Sequence, residues 1–220
     1  MPAGEGATKR KKKRKVLVHE NLFLENLPQS EQYESSYTHR EPISHVVVTK
    51  TDFVISASRD GMLMFWKKKN EGGIEFVKTF KSHLGDITGM AADLDGAFLA
   101  TTSEDKSLKI YNVLAFDMIN MMKLPFVPGV CEWIHARAAA VPRVAVADSA
   151  SSAIYIYDGR GTNAPLHVLT THLAPVTSIK YNPTNKVAIS ADEKGMIEYW
   201  DCEEVRPLLG RHHYQHHHHH

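Results

Sequence analysis

A short pattern returns four times along this chain, and it restricts the fold more than any other feature. A polar turn is followed by a strand-like run that closes on an aromatic residue. The instances are "SASRDGMLMFWKK" with Trp66, "TTSEDKSLKIYNV" with Tyr111, "DSASSAIYIYDGR" with Tyr157 and "SADEKGMIEYWD" with Trp200. The aromatics stand 45, 46 and 43 residues apart. Histidines mark a second phase: His39 and His83 are 44 apart, and His172 falls two such steps further on. A fixed period of this length signals stacked units, each burying its apolar surface against its neighbours.

Within a unit the runs are short and rich in Val, Ile and Phe, with turn residues between them. Unit one reads "ISHVVVT", "DFVISAS", the turn "RDG" and "MLMFWKK"; unit four reads "PVTSIKY", "NPTN", "KVAISA", "DEKG" and "MIEYWD". No long period-3.6 pattern occurs; "LAFDMINMMKL" (114–124) comes nearest and reads as a connection entering an outer strand. Short antiparallel strands at this period build the four-stranded blades of a WD40 β-propeller. The expectation is an all-β chain with an incomplete propeller of about four blades, at 38–70, 80–115, 125–160 and 170–202 within a repeat region 36–203. A basic disordered tail with a lead-in strand (1–35) precedes it, and a tail (204–220) follows. Four blades read as an unclosed ring, whose ends would expose apolar faces and favour association.

The spacing also assigns the polar residues. In this repeat type a His before the inner strand, a Ser or Thr on the second strand, an Asp in the next turn and a Trp on the third strand form a buried hydrogen-bonded chain. A buried carboxylate needs such donors. Unit one has His39, Ser56, Asp60 and Trp66; unit two has His83, Thr101, Asp105 and Tyr111, the last in the Trp position. Unit four has His172, Ser190 and Trp200, but Lys194 at the Asp position, so its chain is expected to be incomplete and the blade less rigid. Unit three has no His and carries Ser151 at the Asp position; it reads as degenerate, or as carrying an insertion around "ARAAAVP".

Catalytic readings of the same residues fare poorly. Asp192, Glu193 and Glu198 are close in sequence, but a carboxylate pair must face a substrate across a gap, and these lie in a turn and on an outward strand position. "DSASS" (148–152) lacks a nucleophile elbow, and "DGRGTN" (158–163) lacks the ending of a phosphate loop. His39, His83 and His172 diverge, one per blade, so no metal site is expected; no catalytic residue, cofactor or small-molecule substrate is expected either. Cys131 and Cys202 form no CxxC pair or disulfide framework, which fits a reducing compartment. Seven of the fourteen histidines crowd into "HHYQHHHHH" (212–220), which reads as a purification tag or low-complexity end.

Charge is unevenly spread. Residues 1–15 carry seven Lys/Arg against one Glu, and the remainder has 19 basic and 24 acidic residues. The run Lys9, Arg10, Lys11, Lys12, Lys13, Arg14 and Lys15 reads as a nuclear import signal, with weak non-specific RNA contact as a second role. No aromatics interleave it, which argues against base stacking. No apolar run is long enough to span a bilayer, and "VLVHENLFLENL" is too interrupted for a signal peptide, so no membrane role is expected.

Several strings are more specific than the repeat: "TKTDFVISASRDG", "FWKK", "FKSHLG", "FDMIN", "CEWI", "IYIYDGRG" with "PLH" after it, and "GMIEYW". From about Lys15 to Trp200 the chain resembles the nuclear cyclophilins that carry an N-terminal WD-repeat propeller. The resemblance implies a nuclear location, a docking role among the proteins of a spliceosomal complex, and a separate cyclophilin domain that isomerises X-Pro bonds. It also implies further blades and that cyclophilin beyond "DCEEVRPLLGRHHYQHHHHH", so the chain is expected to be a fragment, truncated gene model or short isoform. No cyclophilin-type stretch occurs in it, so no catalytic residue carries over and the chain is read as a non-enzymatic scaffold.

Overall fold

The computed structural model, which describes residues 18–27 and 35–208, folds the repeat into four sheets. Blade one contains β1 (Ile43–Val48), β2 (Phe53–Ser58), β3 (Met62–Lys68) and β4 (Ile74–Lys81). Blade two contains β5 (Ile87–Ala92), β6 (Phe98–Ser103), β7 (Ser107–Asn112) and β8 (Asp117–Lys123). Blade three contains β9 (Pro128–Trp133), β10 (Arg143–Asp148), β11 (Ile154–Asp158) and β12 (His167–Leu169). Blade four contains β13 (Val176–Asn182), β14 (Val187–Asp192), β15 (Ile197–Asp201) and β16 (Arg206–Pro207). Each is a four-stranded antiparallel meander with strands in sequence order.

Two boundaries shift. The expected blade limits stop near the third strand, because the aromatic that marks the period closes that strand; β4, β8, β12 and β16 lie beyond those limits. The fourth blade therefore reaches Pro207, and its buried Val205 falls inside the stretch read as a tail. Upstream, a helix, α1 (Glu20–Glu25), stands where a lead-in strand was expected. Its Leu and Glu content favours helix over strand, and Glu20 lies in the first turn, where a negative charge suits the helix dipole. This helix belongs to a separate unit that ends at Tyr37.

Alternation along each strand sends neighbouring side chains to opposite faces, so each interior sheet has two apolar faces. Three clusters fill the gaps between blades. Phe53, Ile55, Leu63 and Phe65 of blade one meet Leu99 and Tyr111 of blade two. Ala100, Leu108 and Ile110 meet Trp133, Val144 and Tyr157. Ala145, Ile154 and Ile156 meet Ile179, Ala188 and Trp200. Hydrogen bonds cross the same gaps, including Trp133 Nε1 to the Ala91 carbonyl at 3.0 Å and Thr51 Oγ1 to the Gly96 carbonyl at 2.9 Å. Gly61 closes the β2–β3 turn at φ 81°, and its carbonyl accepts from the His83 amide at 3.1 Å. A Cβ there would sit 2.1 Å from the His83 carbonyl oxygen, so only glycine lets this turn rest on the strand connection that carries the histidine.

Candidate functional site

The polar residues of the repeat gather at one end of the blades, where the β2–β3 type of turn meets the connection from the preceding blade. Blade two shows the arrangement most fully. His83 Nε2 lies 2.8 Å from Thr101 Oγ1, and Nδ1 lies 2.9 Å from Ser107 Oγ and 3.1 Å from Asp105 Oδ2. Asp105 also accepts from Ser107 Oγ at 2.5 Å, from the Ser107 amide at 3.0 Å and from the Leu84 amide at 3.1 Å. A carboxylate only accepts, so the imidazole proton sits on Nδ1 and Nε2 accepts from the threonine hydroxyl. Burial drives the His83 pKa down to about 4, against the pull of Asp105. Burial would raise the Asp105 carboxyl, but its bonds from Ser107 and Leu84 and the nearby His83 together bring it below its ordinary value.

Tyr111 departs from the expected chain. Its hydroxyl pairs with Ser82 Oγ at 2.6 Å rather than reaching Thr101. A phenol carries its oxygen at the far tip of the ring, whereas an indole carries its N–H on the flank, so the same position reaches a different partner.

Blade one brings its four residues together by a longer route. Trp66 Nε1 donates to Ser56 Oγ at 2.9 Å, and Ser56 Oγ lies 2.7 Å from His39 Nε2. His39 Nδ1 lies 2.9 Å from Ser58 Oγ, which donates to Asp60 Oδ1 at 2.5 Å. The carboxylate expected beside the histidine is thus one hydroxyl removed from it, and Asp60 is exposed. Burial lowers the His39 pKa, with Asp60 pulling it upward.

Blade four overturns the expectation of an incomplete chain. His172 Nε2 lies 2.6 Å from Ser190 Oγ, which accepts from Trp200 Nε1 at 3.1 Å. The carboxylate comes from Asp192, whose Oδ2 lies 3.2 Å from His172 Nδ1. Its Oδ1 accepts from the amides of Lys194 and Met196, each at 2.9 Å. Burial would raise the Asp192 carboxyl, but bonds from Met196, His172 and Lys194 together hold it below its ordinary value. Lys194 contributes its backbone N–H alone among these contacts. Asp192, expected in the turn, ends β14 and is buried. The signal was present: two residues after each chain hydroxyl stand Ser58, Ser103 and Asp192, on the same face of the strand.

Blade three has no such chain. Val146 occupies the position of Ser56, Thr101 and Ser190, and Asp148 accepts from Ser151 Oγ at 2.8 Å and from the Ala150 amide at 2.9 Å. The expected insertion is there: β9 and β10 are joined by residues 134–142, where the other blades use 49–52, 93–97 and 183–186. This longer loop roofs a cavity of about 330 Å3 lined by Ile134, His135, Val141, Arg143, Tyr181 and Cys202. The Arg143 guanidinium is already spent on the carbonyls of Cys202 and Glu203, at 3.0 and 2.9 Å.

A His between a hydroxyl and a carboxylate has the membership of a nucleophilic triad. Here Thr101, Ser190, His172 and Asp192 are all buried, the serine already receives an indole N–H, and the depressed His83 is a poor base near neutral pH. Burial pushes the Cys131 and Cys202 thiols up to about 12, so both remain protonated. Among the described residues no group of three or more His, Cys, Asp or Glu is placed to hold a metal ion. Lys9 to Lys15 and the His-rich end lie outside the described residues.

Comparison with known proteins agrees with this geometry. The family model "WD domain, G-beta repeat" matches residues 74–112 and 163–201. Each match starts at or before the outer strand of one blade and ends in the third strand of the next, so the sequence repeat is staggered against the sheet. "Peptidylprolyl isomerase domain and WD repeat-containing protein 1" of Homo sapiens is 52% identical over 86% of this chain, and the match spans 29% of that protein. "Peptidyl-prolyl cis-trans isomerase CYP71" of Arabidopsis thaliana is 44% identical over 90% of this chain and 31% of its own length. The chain thus spans about 30% of the length of the curated relatives it matches. A chain of the "Crystal Structure of Mitotic Checkpoint Complex" superposes with a TM-score of 0.62 at 14% identity, covering 76% of this chain and 49% of that one; it shares the fold.

Proposed function

The chain is a WD40-repeat homologue of the peptidylprolyl isomerase domain and WD repeat-containing proteins, and on that premise we propose that it is a non-catalytic docking scaffold. One observation carries the reading. His83 and His172 are buried and fully engaged, yet the next residue in each case, Leu84 at 99% and Leu173 at 76% exposure, projects into solvent. The repeat thus spends its reactive-looking groups on holding the turn and presents apolar side chains on the connections around it. Loops held by a rigid scaffold are where binding residues concentrate.

In this proposal the partners are proteins of a spliceosomal complex, the location is nuclear and directed by Lys9 to Lys15, and the same basic run gives weak, non-specific RNA contact. X-Pro isomerisation belongs to a cyclophilin domain of the relatives' type, outside this chain. The proposal is tested by replacing Leu84 and Leu173 together with Glu and measuring association with purified splicing complexes. Binding should fall at least tenfold with the circular dichroism unchanged; unchanged binding would refute docking through these connections. Cyclosporin-sensitive isomerisation of an X-Pro peptide by the chain would refute the non-catalytic reading. Deleting residues 9–15 should move a tagged chain to the cytoplasm and flatten the salt dependence of RNA binding.

A further inference from the structure

The gaps between blades are closed differently at the end opposite the histidines. In the first gap the β1–β2 and β5–β6 turns are short and touch, Thr51 Oγ1 donating to the Gly96 carbonyl at 2.9 Å. A Cβ on Gly96 would sit 2.9 Å from the Thr51 amide nitrogen, so that gap has no spare room. In the third gap residues 134–142 take the place of such a turn. This loop is rich in alanine, and Ala138 sits at φ 54°, a left-handed conformation that alanine adopts at a cost. The space between the loop and blade four is the cavity of about 330 Å3. Both blades that form it are complete four-stranded sheets, and Arg143 Nη1 crosses the gap to the Cys202 and Glu203 carbonyls.

The walls of the cavity are mostly apolar, from Ile134, Val141, the Tyr181 ring and the loop alanines. The charges around it are unequally matched. Lys186 pairs with Glu203 at 2.8 Å and Arg137 with Asp95 at 3.5 Å. Arg160 Nη2 donates to the Ala140 carbonyl at 2.9 Å, as Arg143 donates to its two carbonyls. A carbonyl accepts a hydrogen bond but does not cancel a charge. Among the described residues neither guanidinium has a carboxylate at ion-pair distance. Asp158, opposite Arg143 across β10 and β11, turns its Oδ1 to the Arg160 amide at 2.9 Å. We infer that the cavity is a second docking site, for a short protein segment that inserts a bulky apolar side chain and sets a flanking Asp or Glu against Arg160. A guanidinium binds a carboxylate through paired, charge-assisted hydrogen bonds. The occupant is a peptide because the cavity is open. Ala139, Ala140, Lys186 and Glu203 line it and are exposed, so an anchor enters while the chain carrying it stays outside. The volume is also near the lower end of the roughly 300–1,000 Å3 of small-ligand sites. Leu84 and Leu173 lie at the other end of the blades, so this site stands without them.

The test is an amide NMR titration of the full 220-residue chain with acetyl-Asp-Leu-Asp-amide, acetyl-Lys-Leu-Lys-amide and hexanoate. The acidic peptide should give saturable shifts centred on Ile134, Ala139, Val141 and Tyr181. The lysine-flanked peptide should bind about fivefold more weakly, and hexanoate, an apolar acid without a peptide chain, about tenfold more weakly. Ala139→Trp fills the mouth and should weaken the acidic peptide about tenfold; Ala140→Trp does so from the next position if the first variant loses the native spectrum. Arg160→Gln should erase the preference between the two peptides. The chain carrying Leu84→Glu and Leu173→Glu should bind the acidic peptide as the parent does, which separates this site from docking at the other end. No saturable shift, shifts centred elsewhere, or a lysine-flanked peptide or hexanoate that binds as tightly would each overturn the proposal. So would unchanged binding by a folded Trp variant, a preference that survives Arg160→Gln, or loss of binding in the Leu84 and Leu173 variant.

Discussion

Blades two and four hold the same imidazole between a hydroxyl and a carboxylate, but the carboxylate arrives from different places in the chain. In blade two it comes from the turn. Asp105 is partly exposed and shares the work with Ser107, which bridges to His83, and with Ser103, whose Oγ accepts the Asp105 amide at 3.2 Å. In blade four it comes from the end of the second strand. Asp192 is buried and alone takes the imidazole together with the amides of Lys194 and Met196. What the fold fixes is a point in space that needs negative charge, next to Nδ1 of the histidine. Two sequence positions can fill it. Concentrating the bonds on one side chain makes blade four more brittle than blade two.

Two experiments strain that difference hardest. Asp192→Ala leaves the His172 ring N–H and two turn amides without acceptors, and should cost roughly 3–5 kcal/mol in urea unfolding. Asp105→Ala should cost about 1–3 kcal/mol, because water reaches that turn. Combining Asp192→Ser with Lys194→Asp rebuilds the blade-one pattern of Ser58 and Asp60, since Met196 stands where blade two has Ser107, and should recover part of the loss; no recovery would show that the position of the carboxylate matters and not only its presence. The second experiment is pH. His83 falls from 6.5 to about 4 on folding, so the unfolded chain binds the extra proton between those values. Stability should therefore drop by about 3 kcal/mol as pH falls from above 6.5 toward 4, and His83→Gln should remove most of that slope. Asp105, held below its ordinary 3.8, adds a loss only below about pH 4.

The repeat was legible because it is written in apolar alternation and in large aromatics, which locate strands directly. Strand positions, the antiparallel blades and the residues in contact with each histidine on the hydroxyl side all follow from it. Acceptors for the other side were harder to read. A carboxylate can reach the imidazole from the turn, from the strand end or through an intervening serine, and spacing from the tryptophan specifies only the first. That spacing points to Lys194 and not to Asp192 in blade four, and it gives no sign of Ser58 between His39 and Asp60 in blade one. Outer strands such as β12 and β16 are short and mostly exposed, so their sequences carry little pattern. Tyr111 shows a different limit: its ring is specified by the repeat, but the partner of its hydroxyl depends on where the ring tip lands.

Smaller effects sharpen the comparison at blade one. Asp60 is exposed and touches the chain only through Ser58, whose oxygen stays bonded to His39 when the carboxylate is gone. Asp60→Ala should cost about 1 kcal/mol or less, below Asp105→Ala, by thermal or urea melting.

The smallest effect is expected at Lys194, the residue that occupies the aspartate position of blade four. Its role in the chain is its amide, which donates to Asp192 Oδ1 whatever the side chain. Lys194→Ala keeps that amide and the backbone that presents it, so stability should stay within about 0.5 kcal/mol of the parent. Lys194→Pro removes the amide donor in addition to the side chain, and should reproduce a visible fraction of the Asp192→Ala loss, about 1 kcal/mol or more. A large loss for the alanine variant with no further loss for the proline variant would place the side chain, and not the amide, in the chain that holds His172.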